Sequence, residues 1–321
     1  MSEGYSSTQT AEQQASEAPV VHQITPIERQ TRANELSEVV SQAERKDDYA
    51  YVDRQTLTRQ RAALVNLPDH MEDYLRGHIY VQAIEDRNAM ERKGIKESEK
   101  PRPTNLELLR GEIFELLVEG DPALNSRSKA AEQFLAVMHD PARYNCETEL
   151  GHVRNPDLAV IKDDGSGRMV VTEYGEAKLA RIDRRGFEQI INGGLRNGVT
   201  KAVGVLKQMS VDELAAHGLT EIAKATPIGM AEQVTQTLVV PADRETEKPS
   251  RMFSQDIIAE QGPSRADAVL EQLLRQSQTQ VKKSAFTGSQ VEALARYYLE
   301  KLNLIEKDNP KFTTPERSGR H

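Results

Sequence analysis

Apolar positions recur at helical spacing near both ends of the chain and at strand spacing in its middle. Residues 1–25 hold almost nothing to bury and read as a disordered tail. Between 26 and 94, three stripes at three- and four-residue spacing predict helices. Leu36, Val39 and Val40 mark the first, Leu57, Leu64, Val65 and Leu67 the second, and Met71, Tyr74, Leu75, His78, Ile79 and Ala83 the third. The stripes are narrow, so residues 26–94 are expected to form a helical extension or interaction surface, not a core of their own. The charged, proline-bearing run KGIKESEKPRPT at 93–104 reads as a linker.

The pattern changes after that linker. Thr104 can cap a helix carrying Leu106, Leu109, Ile113, Phe114, Leu116 and Leu117, which stops at Gly120. A second helix is expected over 126–139, then strands at 144–150, 157–162 and 168–178, the last two joined by the turn sequence DDGSG. A helix over 183–192 breaks at Gly193-Gly194, 201–207 reads as a buried strand, Ser210 and Glu213 form a capping box for a short helix ending at Gly218, and 235–241 reads as a last strand. This order predicts a mixed α/β domain over 104–241. Residues 243–251 read as a flexible linker, 264–283 and 289–307 as two amphipathic helices forming a pair over 264–307, and 308–321 as a tail.

Composition narrows the class. The chain has 321 residues, 37% of them hydrophobic, and no Trp. One moderate core is expected, with much solvated helix. No run approaches the length of a membrane span, and the first 27 residues contain no Lys or Arg and no apolar signal-like segment. The lone cysteine, Cys146, excludes an internal disulfide and a cysteine-cluster metal site. A cytoplasmic chain without membrane association is expected. The net charge of −8 argues against a broad nucleic-acid coat but permits one local basic stripe.

Such a stripe exists. Residues 178–208 hold seven basic and two acidic residues, directly after the feature with the strongest chemical content. That feature is Pro156-Asp157, eighteen residues, then Glu176-Ala177-Lys178. Phosphodiester hydrolysis needs a divalent cation to activate water and neutralise charge on phosphorus; carboxylates are the oxygen ligands Mg²⁺ takes, and a lysine can orient water or stabilise charge. Glu176 and Lys178, two apart on a strand, share a face. Asp157 joins them only in the right register. If Asp163 pairs with Arg168, Asp157 lies opposite Tyr174 on the shared face; if Lys162 pairs with Arg168, it lies opposite Glu173 on the other.

At these residues the chain resembles the PD-(D/E)xK nuclease superfamily, over roughly 104–241. The resemblance implies a restriction-endonuclease-like mixed sheet with flanking helices, here with N- and C-terminal helical extensions. It implies a metal-dependent nuclease hydrolysing DNA, with Mg²⁺ as cofactor and Mn²⁺ able to substitute. Asp157, Glu176 and an acid of the preceding helix (Glu115, with Glu112 as substitute) would hold the metal, and Lys178 would be base or charge stabiliser. Arg181, Arg184, Arg185, Gln189 and Arg196 would meet the nucleic acid. Two features depart from the family pattern: the additional helix over 126–139, and Gly193 where RecB-type members carry a tyrosine four residues after the glutamine. They leave the subfamily open.

Two alternatives stand beside this reading. Residues 156–178 could form an ordinary solvent-facing hairpin, and the domain could be a catalytically inactive scaffold working through its helical flanks. The chain also holds a second match to the bare motif, Pro68-Asp69 followed after twenty-one residues by Glu91-Arg92-Lys93, but in a segment of helical periodicity. The seven histidines show no paired metal spacing; His152 lies nearest the motif. The apolar stripes of the terminal helices need a cover, and the linker-like 243–251 favours a second copy of the chain or a protein partner.

Overall fold

The computed structural model describes residues 23–44, 53–94, 103–125, 156–166, 169–191 and 228–304. The expected helices over 126–139 and 210–218, the strands over 144–150 and 201–207, both tails apart from residues 23–25, Cys146, His152, Gly193-Gly194 and Arg196 lie outside the described residues. Four helices come first: α1 (Pro26–Glu44), α2 (Arg54–Val65), α3 (Met71–Lys93) and α4 (Asn105–Glu119). Their starts are written locally. Thr25 and Glu28 exchange hydrogen bonds at the head of α1, Asp53 caps α2, and Thr104 with Glu107 forms a capping box on α4. Helix α3 ends at Gly94, whose φ of 63° suits a residue without Cβ.

A four-stranded mixed sheet follows, ordered β1 (Leu158–Asp163), β2 (Met169–Ala177), β3 (Ile228–Val240), β4 (Thr279–Lys283). The β1–β2 pair is antiparallel; β2–β3 and β3–β4 are parallel. The remaining helices are α5 (Arg184–Ile191), α6 (Gln255–Gln261), α7 (Ala266–Gln276) and α8 (Gly288–Lys301), with a 3-10 turn at Pro249–Arg251. The coarse expectation therefore holds: an α/β protein with a mixed sheet and flanking helices.

Among the described residues, two apolar clusters cover the sheet. One joins Leu158, Ala177 and Val239 of the sheet to Phe114 and Leu117 of α4, Leu36 and Val40 of α1, and Leu294 and Tyr298 of α8. The other joins Leu238 and Val240 to Ile182, Phe187, Phe253, Ile257 and Leu270 on α5–α7 and their connections. Polar clamps tie the helices into the first cluster. Arg32 of α1 donates to the carbonyls of Leu67 at 2.7 Å and Asp69 at 3.2 Å, gripping the α2–α3 turn. Arg59 of α2 meets Asp121 at 2.8 Å, and the buried Gln60 amide donates to Ala285 at 2.8 Å.

Three expectations need correcting here. The N-terminal helices are not an appendage, because their stripes are buried in the same cluster as the sheet. The expected helix over 264–283 ends at Gln276, and Thr279–Lys283 forms β4 instead. The segment 243–251 is folded, not a loose linker. Asp243 accepts from the Gly288 N–H at 3.0 Å, Arg244 donates to the Leu179 carbonyl at 2.7 Å, and Ile182 and Phe253 form a bridge just beyond. With α1 and α4 covering the stripe of α8, the reason for expecting a second copy or a partner on these helices disappears. Among the described residues, no helix is long and apolar enough to cross a membrane.

Candidate active site

The β1–β2 hairpin changes register partway along. Next to the turn, Asp163 pairs with Met169, Lys162 with Val170 and Ile161 with Val171. Beyond a bulge the pairs are Val160–Glu173, Ala159–Tyr174 and Leu158–Gly175. Thr172 is the extra residue, and its hydroxyl donates to the Val160 carbonyl at 3.1 Å. Neither register considered from the sequence occurs. Without the bulge, the turn's register would set Asp157 opposite Gly175, on the wrong face. Continued one residue past Leu158–Gly175, the slipped register puts Asp157 level with Glu176, so the required shared face is reached by a different route. The Asp157 N–H donates to the Gly175 carbonyl at 2.8 Å, and the Ala177 N–H donates to the Asp157 carboxylate at 2.7 Å.

The hairpin thereby brings Asp157, Glu176 and Lys178 together. Glu176 is buried, and its carboxylate accepts from the Lys178 ammonium at 2.8 Å. Helix α4 supplies the fourth group. Burial pushes Glu115 up to about 9, with the Asp157 and Glu112 carboxylates adding to the rise. Burial likewise raises Asp157 to about 7, helped by Glu176 and opposed by Lys178. For Lys178, burial would favour the neutral amine, but the Glu176 and Asp157 carboxylates outweigh it and hold the ammonium above its ordinary value. Three acids thus crowd one lysine, and two of them hold protons more tightly than free carboxyls do.

Glu112 is held from the α3 side, although its charge also raises Glu115 and Asp157. It accepts from the Tyr74 hydroxyl at 2.6 Å and lies 3.0 Å from His78 Nδ1, both on α3. Of the two helix acids, Glu112 is engaged by Tyr74 and His78, and Glu115 is the one whose proton burial and Asp157 hold most tightly. Tyr74 and His78 escaped the sequence reading as site neighbours because they sit in a stripe whose other members are apolar. Their signal was their i, i+4 spacing with polar tips on one face.

Backbone closeness fixes the site from below. A Cβ on Gly175 would stand 2.0 Å from the Thr237 carbonyl oxygen of β3, so only glycine fits between Tyr174 and Glu176. Glu173 points away from the acids, as expected, but it is not idle: it accepts from Thr237 at 2.7 Å and from Lys282 of β4 at 2.5 Å. The candidate nucleic-acid residues separate. Arg181 is exposed beside the strand exit, whereas Arg184 is ion-paired with Glu260 of α6. Arg185 and Gln189 lie on α5, whose Gly186 packs near Lys178 Cε. The second motif match stays apart: Asp69 precedes α3 and pairs with Arg29 at 2.8 Å, while Glu91 sits at the far end of that 23-residue helix.

Among the described residues, no three His, Cys, Asp or Glu side chains form a ready metal-ligating group. The Lys178 ammonium supplies positive charge where Glu176 needs it. Comparisons with family models, with curated proteins and with solved structures find no match.

Proposed function

We propose that this chain is a metal-dependent nuclease hydrolysing DNA phosphodiester bonds, on a restriction-endonuclease-like variant of its α/β sheet. The observation that carries the reading is the bulge-set convergence of Asp157, Glu176 and Lys178 beside Glu115. A donor set of carboxylate oxygens suits a hard cation, and acids whose protons are held too tightly are the ones a cation would relieve. Asp157 and Glu176 would hold Mg²⁺ or Mn²⁺, with Glu115 directly or through water, and the ion would supply an activated water and charge neutralisation. Lys178 carries its proton at neutral pH, which supports the role of charge stabiliser over that of base. The Ala177 N–H orients the Asp157 carboxylate.

Purified chain incubated with linear, nicked, branched and single-stranded DNA should cut at least one of them with Mg²⁺ or Mn²⁺, and none with EDTA. Absence of metal-dependent cleavage on every substrate, at high protein concentration, would overturn this reading in favour of a non-catalytic scaffold.

A further inference from the structure

A cleft of about 270 Å³ opens at the exit of β2, where four separate segments of the chain meet. Arg110 of α4, Arg181, Arg244 and Arg251 line it, together with the carboxylates of Asp243 and Glu245 and with Gly288 at the head of α8. The arginines are held to different degrees. Arg244 is fixed by its bond to the Leu179 carbonyl, and Arg110 lies 3.5 Å from Glu292. Arg251 meets Glu245 at 3.4 Å, but both side chains are more than half exposed, so the pair is weak and easily exchanged. Arg181 makes no hydrogen bond or ion pair among the described residues. Asp243 accepts from the Gly288 N–H at 3.0 Å, and the four arginines outnumber the two lining carboxylates, Asp243 and Glu245.

Guanidinium groups converging on a small open cavity fit a tetrahedral anion, which arginine binds through paired, charge-assisted hydrogen bonds. The volume lies below the range that buries a drug-sized ligand, so it suits a phosphate group and not a whole nucleoside. Its position along the chain puts it next to the site. Arg110 precedes Glu115 by five residues on α4, and Arg181 follows Lys178 by three residues.

We propose that this arginine cleft binds a backbone phosphate of the DNA strand neighbouring the phosphodiester presented to Asp157 and Glu176, and so sets the register of the strand at the site. The proposal rests on the nuclease reading but is tested by binding. Anisotropy of a labelled oligonucleotide, with the full chain in EDTA, should show Arg181→Ala and Arg251→Ala each weakening affinity roughly five- to thirtyfold and lowering the salt slope by about one phosphate. Arg275→Ala on α7, outside the cleft, should leave both unchanged. A scan of single methylphosphonate linkages should find a position whose neutralisation weakens the wild-type chain but not Arg181→Ala. Inorganic phosphate should compete only at far higher concentration than the oligonucleotide.

Unchanged affinity and slope in both cleft variants, or a flat scan, would overturn the cleft while leaving cleavage by the wild-type chain to stand. Competition by inorganic phosphate at the oligonucleotide's own concentration would overturn the strand-bound form and assign the cleft to a free phosphate. Arginine-dependent binding without any Mg²⁺-dependent cleavage would support the cleft and sink the nuclease reading instead.

Discussion

Two regions of this chain carry the same arrangement of residues: a proline and an aspartate, about twenty residues, then a glutamate and a lysine two apart. In the first, Asp69–Lys93, nearly the whole interval is one helix. Its ends stand about 33 Å apart at 1.5 Å per residue, and Asp69 spends its charge on Arg29. In the second, Asp157–Lys178, the interval folds back through a turn, and the Ala177 N–H reaches the Asp157 carboxylate. The same letters are structural in one place and convergent in the other. Chain reversal, not composition, makes a site out of them.

Substitution should separate the two regions most sharply in catalysis. Asp157→Ala or Lys178→Ala should lower cleavage by about a thousandfold or more, the scale lost when a group stabilising transition-state charge is removed. Asp69→Ala and Glu91→Ala should leave the rate within about twofold, with Asp69→Ala losing under about 1 kcal/mol of stability. Equal losses in both regions, measured as initial rates at saturating Mg²⁺, would erase the distinction. Next in size is the backbone contact that only the second region has. Gly175→Ala drives a methyl group into the Thr237 carbonyl and should cost about 3 kcal/mol or more in urea unfolding, with cleavage lost.

The other face of β2 sharpens the comparison further. Glu173→Ala removes an acceptor shared by Thr237 and Lys282, so it should destabilise by about 1–2 kcal/mol while leaving cleavage intact. Loss of activity at unchanged stability would place Glu173 at the site. The smallest effect is a pH slope. Glu115 and Asp157 bind protons more tightly folded than unfolded, so the folded chain keeps protons that the unfolded chain has released. Stability of the metal-free protein should therefore fall as pH rises from about 5 through the raised values near 7 and 9. Thermal melts in EDTA should show this fall, and Asp157→Asn should flatten it; a slope of the opposite sign would contradict the crowding of these acids.

What could be read in advance followed the range of the interaction that decides each element. Thr104 and Gly120 act within a few residues, and both stand at the helix ends where their sequence places them. Strand β4 was not legible. Thr279–Lys283 is short and mostly polar, as an edge strand tends to be, and only its parallel partner β3 tells it from the end of a helix. The same holds for 243–251, where charges that looked solvated are spent on Leu179 and Gly288. The carboxylates and lysine of the site were legible as chemistry, but the bulge that assembles them was not, since Thr172 needs no special backbone residue to mark it.

That bulge makes the hairpin behave as a parity device. Because side chains alternate between two faces, adding or removing one residue between Asp157 and Glu176 toggles whether the acids meet, while two such changes cancel. The turn around Gly165 can thus vary in length by even steps with the chemistry retained. A single-residue change there can silence the site without unfolding the sheet, and a second one elsewhere in the same hairpin can restore it.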